Sequence, residues 1–112
     1  MTDRELLELA AKAAGIADLQ QVGNIWYYTN GGYLMREWNP LTDDGDALRL
    51  AVKLELDVFF ATRHVRCANR NTDKVSVRNK EVGHPLNTDG DPYAATRRAI
   101  VRAAAKIGRN MK

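Results

Sequence analysis

Arg97 and Arg98 follow closely on Pro92, inside a C-terminal stretch with helical patterning. A helix start presents unpaired backbone N–H groups to an anion, and a nearby arginine grips phosphate through two parallel donors. Arg36 is a third candidate donor. Five of the eight Phe, Trp and Tyr residues lie between Trp26 and Trp38. Trp26, Tyr33 and Trp38 each offer a flat apolar face with a polar handle, which suits stacking on a base. Asn39 adds an amide beside Trp38. Arg97, Arg98, Arg36, Trp26, Tyr33, Trp38 and Asn39 therefore form a candidate nucleotide-binding set. The competing readings are plain core packing for the rings and a solvated basic face for the arginines.

Other chemistries find less support. His64 and Cys67 are three apart, which on a strand points them to opposite faces, and His84 stands alone. No zinc spacing is present. Asp43, Asp44 and Asp46 lack the twelve-residue pattern of a calcium loop and read as a helix start, where the helix dipole favours negative charge. Gly31-Gly32 has no Lys-Ser/Thr sequel and is a turn rather than a phosphate loop. Cys67 has basic neighbours but no identifiable base partner. No catalytic group, metal or cofactor is expected.

Residues 1–60 hold 10 acids and 5 bases; residues 61–112 hold 4 acids and 12 bases. The basic half suits an anionic partner, unless the halves neutralise each other across the fold. No apolar run approaches the roughly 20 residues of a membrane span, and the opening residues read as an acidic helix rather than a leader. One cysteine excludes an internal disulfide and suits a reducing cytoplasm.

These groups are carried by a chain of 112 residues, the length of one domain. A first helix is expected over 2–14, capped by Thr2 or Asp3, with Leu6, Leu9, Ala10 and Ala13 as its apolar stripe, Leu7 and Ala14 on the flank, and Gly15 as its stop. Ile25–Thr29 and Tyr33–Arg36 read as a hairpin around Asn30-Gly31-Gly32. Pro40 holds Asn39 extended, and Thr42 or Asp43 caps a second helix over 43–54. Its apolar face is expected to be Leu48, Ala51 and Val52, with Ala47, Leu50 and Leu54 beside them. Leu56–Cys67 reads as a long, doubly covered strand and Lys74–Arg78 as its hairpin partner. The 81–91 segment is a loop long enough to cover a site. The last helix spans about 92–109, capped by Asp91 or Asp89, with Pro92 at its first position and a narrow face of Ala95, Ala99, Ile100, Ala103, Ala104 and Ile107. Arg98, Arg102, Lys106 and Arg109 form a basic ridge along it. The order α-ββ-α-ββ-α predicts an α+β domain, with a mostly antiparallel sheet and helices on one or both faces.

Glu37-Trp38-Asn39-Pro40-Leu41-Thr42-Asp43-Asp44-Gly45-Asp46-Ala47-Leu48-Arg49-Leu50-Ala51-Val52-Lys53-Leu54, together with Ala94–Ala104 and the helix Asp3–Gly15, resembles the bacteriophage ABA-sandwich domain family. That resemblance implies an antiparallel sheet sandwiched by helices, in a phage or prophage protein of the infected or lysogenic host cytoplasm. Some members are Thoeris anti-defence sponges. They assemble as homo-oligomers and bind cyclic-ADP-ribose-type signals, or in some cases cyclic oligonucleotides such as CBASS signals, without cleaving them. In the Ala-x-x-Arg-x-Ala pattern of the last helix, Arg97 matches an arginine of the sponge branch. The Trp-Asn-Pro-Leu-Thr-Asp-Asp opening departs from the Tyr-Ser-Thr-Asp-like one of that branch. The resemblance implies a non-enzymatic cyclic nucleotide sponge. The alternative is a small phage regulatory or accessory module that binds a host protein or nucleic acid through the basic last helix.

Overall fold

The computed structural model describes residues 2–29, 34–60, 65–69, 76–79 and 91–111. Helix α1 spans Asp3–Ala14. Thr2 caps it by accepting the Glu5 N–H at 3.2 Å, and Gly15 ends it at φ 82°, a conformation a glycine reaches without steric cost. Leu6, Leu7, Ala10, Ala11 and Ala14 are buried, whereas Leu9 is only partly covered. The buried face is therefore turned towards the expected flank, Leu7 and Ala14, where α1 packs on α3.

Strands β1 (Gln20–Val22), β2 (Ile25–Tyr28) and β3 (Arg36–Glu37) form one antiparallel sheet in that order. The turn between β1 and β2 is Gly23-Asn24, with Gly23 at φ 61°. The polar stretch before Ile25 is thus an edge strand with no buried residue, and an inward-outward pattern was never there to mark it. β2 pairs with β3 as Tyr27 with Glu37 and Tyr28 with Arg36. The expected turn Asn30–Gly32 and Tyr33 lie outside the described residues.

Helix α2 spans Asp44–Lys53, capped by Asp43. Strands β4 (Leu56–Phe60), β5 (Val65–Asn69) and β6 (Ser76–Asn79) make a second antiparallel sheet. The long strand expected over 56–67 is two strands: β4 and β5 pair with each other, Phe60 opposite Val65. β4 is an outer strand of its sheet, with Phe59 and Phe60 exposed, not the doubly covered centre its two apolar faces suggested. Residues 61–64, with His64, and residues 80–90 lie outside the described residues, so the expected 81–91 loop falls there except for Asp91.

Helix α3 spans Pro92–Asn110, with Asp91 accepting the N–H groups of Tyr93 at 2.9 Å and Ala94 at 3.2 Å. It packs on α1, α2, β5 and β6. Val101, Ala105 and Gly108 are buried in addition to the expected alanine face, because α3 has neighbours on several sides. Small side chains allow this crowding: a Cβ at Gly108 would collide with the backbone carbonyl of Leu9. The protein is a mixed α+β domain, as its helix order and antiparallel pairings predicted.

Candidate ligand groove

The stretch that joins β3 to α2 folds on its own polar groups. Pro40 is buried; the Asn39 side chain accepts the Leu41 N–H at 3.0 Å. The Asn39 carbonyl accepts from the Thr42 N–H at 3.1 Å and the Asp43 N–H at 2.9 Å. Asp43 caps α2 by accepting the Asp46 N–H at 2.8 Å. Asp46, buried, reaches back and accepts the Asn39 N–H at 2.9 Å through Oδ2 and Arg49 Nη2 at 2.8 Å through Oδ1. Hydrogen bonding to Asp46 raises the pKa of the Arg49 guanidinium. The loop's three aspartates thus take different parts: one caps the helix, one ties down the loop, and Asp44 reaches α3.

Arg97 makes that tie. Its Nε donates to the Leu41 carbonyl at 2.9 Å and its Nη1 to Asp44 Oδ1 at 2.6 Å. Its side chain is only 16% exposed against 69% for Asp44, so the arginine is held and the carboxylate is at the rim.

Arg97 and Asp44 line a groove of about 550 Å³ between α2, β4 and the start of α3. Its other walls are mainly apolar, including Ala47, Leu48, Ala51, Val58, Phe60, Tyr93 and Ile100. Phe60 and Tyr93 are 71% and 69% exposed, so both rings have open surface at this groove. Leu48 and Val52, expected in the core, are exposed, while Ala47, Leu50 and Ala51 are buried. The apolar arc of α2 is wider than its neighbours cover, and Leu48 on the uncovered part becomes a groove wall.

The sequence-derived set is not one site. Trp26, Trp38 and Asn39 do come together, around a separate depression of about 370 Å³. Trp26 and Trp38 are each only 7% exposed and belong to the hydrophobic core. Glu37, Asp43 and Asp46 line the same depression with Arg49, so its charge opposes a phosphate. The Trp38 N–H donates to the Trp26 carbonyl at 2.8 Å, so the pair also closes the end of the first sheet. Arg36 is exposed on β3. Arg98 lies 3.1 Å from Asp3 of α1. Among the described residues of the set, only Arg97 lines the α2–α3 groove. Tyr93 and Phe60 were not in the set; the mark they left was an aromatic beside a helix-starting proline and a paired Phe on a strand with no polar alternation.

Cys67 is fully buried, and burial pushes its thiol up to about 12, so it is protonated and shielded near neutral pH. Among the described residues no three His, Cys, Asp or Glu gather as a metal site, and no helix is long and apolar enough to cross a membrane.

Fold and site together define an α+β domain with an apolar groove and one anchored arginine. No protein-family model, curated protein or solved structure matches the chain.

Proposed function

We propose that the protein is a phage-encoded, non-enzymatic binder that sequesters a cyclic nucleotide immune signal in the groove between α2, α3 and β4. The observation that carries this reading is the meeting of Arg97 with two exposed rings, Tyr93 and Phe60, in one apolar groove. Its volume of about 550 Å³ lies within the range of small-molecule sites. A base would stack on a ring while a phosphate meets the guanidinium. Sequestration requires only binding, so it does not depend on a catalytic group. The exposed Leu48, Val52, Phe60 and Tyr93 support assembly into a homo-oligomer in which a second copy covers part of this face. The setting proposed is the cytoplasm of the infected or lysogenic bacterium.

Equilibrium dialysis against cyclic ADP-ribose isomers and cyclic dinucleotides tests the reading. Expected is saturable, stoichiometric binding with the ligand recovered intact after heating, weakened about tenfold by Tyr93→Ala through loss of stacking. Cleaved ligand, or no binding at high micromolar concentration, would overturn it. Native mass spectrometry reads the oligomer and any retained ligand together.

A second reading rests on Arg102, Lys106 and Arg109, all exposed on α3, whose sequence contains no acid. It makes the protein a regulatory or accessory module for a nucleic acid or an acidic host protein. Affinity would then fall steeply with salt and vanish on neutralising these three residues.

A further inference from the structure

We propose that Asp44 is an internal stand-in for the ligand's anionic group, so the groove selects planar aromatic ligands whose phosphate or sulfonate displaces it from Arg97. This rests on the reading of the groove as a small-molecule site and adds which chemistry it admits. The argument begins with an asymmetry in the ion pair. Arg97 is held at two points, and its bond to the Leu41 carbonyl does not involve Asp44. Asp44 sits at the first turn of α2 with its carboxylate at the rim, and the cap of that helix belongs to Asp43. Asp44 can therefore swing away without undoing the helix start, while the guanidinium stays where it is.

The donors of Arg97 point the same way. A guanidinium has five N–H groups, and Nη2 takes part in neither bond. Among the described residues no buried side-chain nitrogen or oxygen lacks a partner, so Nη2 reaches the groove or solvent. An incoming anion can use Nη2 first and then take the Nη1 position that Asp44 holds, giving a bidentate grip. Among the described residues the rest of the groove is mainly apolar and carries no second cation, so among them charge selection falls on this pair. A neutral ring would bind the apolar walls and leave the ion pair untouched.

Two fluorescent probes separate these cases: the sulfonate 1-anilinonaphthalene-8-sulfonate and its uncharged relative N-phenyl-1-naphthylamine. Both are titrated into the wild-type protein, Asp44→Asn and Arg97→Gln, with Ala51→Phe as the variant that fills the groove. Asp44→Asn is expected to tighten the sulfonate about fivefold, by removing a carboxylate that competes for the guanidinium and repels the probe. Arg97→Gln should weaken it about tenfold, and the neutral probe should respond to neither. Ala51→Phe should lower the affinity of both. Thermal melts identify any variant that fails to fold, and Asp44→Asn alone then carries the charge test. The inference is overturned if both probes respond alike to Asp44→Asn, if the sulfonate is unaffected by it, or if neither probe binds the wild type. Cyclic nucleotides that fail to bind while the probe pattern holds would defeat the sponge reading and leave this one standing.

Discussion

The carboxylate of Asp46, on the first turn of α2, accepts the backbone N–H of Asn39 at 2.9 Å, seven residues back along the chain. The same side chain takes Arg49 on its other oxygen, and its own N–H is bonded to the capping Asp43. The stretch from Asn39 to Arg49 is therefore held together by a closed ring of loop and helix bonds.

Asp46→Ala leaves a part-buried N–H and Arg49 without their acceptor. A hydrogen bond to a charged group contributes about 1.5–3 kcal/mol, so a loss of about 2–3 kcal/mol is expected in urea unfolding, with an unchanged m-value. Asp46→Asn keeps one amide oxygen for Asn39 and should cost roughly half as much.

Gly108→Ala sets two effects against each other. Alanine gains about 1 kcal/mol over glycine inside a helix. The new methyl would meet the Leu9 carbonyl, a backbone atom that moves only if α1 and α3 separate. Overpacking of this kind costs about 1–3 kcal/mol or more, so the net change should be destabilising and visible as a lowered Tm. A raised Tm would mean that the two helices are not in that contact.

Cys67 should be inert to Ellman's reagent in the native state and react on unfolding. Its folded pKa of about 12 lies above the ordinary value of 9.0. Between those values the unfolded chain binds fewer protons than the folded one, so stability falls as pH rises. The contribution is complete below about pH 9 and declines by up to about 1.4 kcal/mol per pH unit towards pH 12. Cys67→Ala should remove that part of the slope, read as the difference between the two proteins' pH–stability curves.

Arg97 and Asp44 should separate in their effects on stability. Asp44→Asn breaks an ion pair with a largely exposed carboxylate and should cost less than about 1 kcal/mol. Arg97→Met removes the donor to the Leu41 carbonyl as well and should cost about 1–2 kcal/mol more. Equal losses from both would show that the Leu41 bond contributes nothing. Circular dichroism melts of both variants and the double variant measure this.

Much of the fold was legible from neighbouring residues. Thr2, Asp43 and Asp91 cap the three helices, Gly15 ends the first, and Pro92 begins the last, all within a few residues of where composition put them. The antiparallel pairing of β2 with β3, and of β5 with β6, follows the strand-forming runs. The site was less legible. Arg97 was in the candidate set, but the rings that accompany it, Tyr93 and Phe60, stood far from the aromatic cluster that drew attention. That cluster supplied core tryptophans because removing apolar surface from water is favourable wherever the packing allows it.

Caps, turns and helix ends depend on bonds spanning two to four residues, and the chain's local chemistry is enough to settle them. Which part of an apolar arc is buried depends on the partner that arrives. α2 presents apolar residues around a wide arc, and only the arrival of α3 decides that Ala47, Leu50 and Ala51 are covered while Leu48 is left to line a groove. Arg97 and Leu41 are 56 residues apart, and Arg97 and Asp44 are 53. No periodicity links such distant residues. Their meeting is a product of how α3 docks, and so is the groove they border.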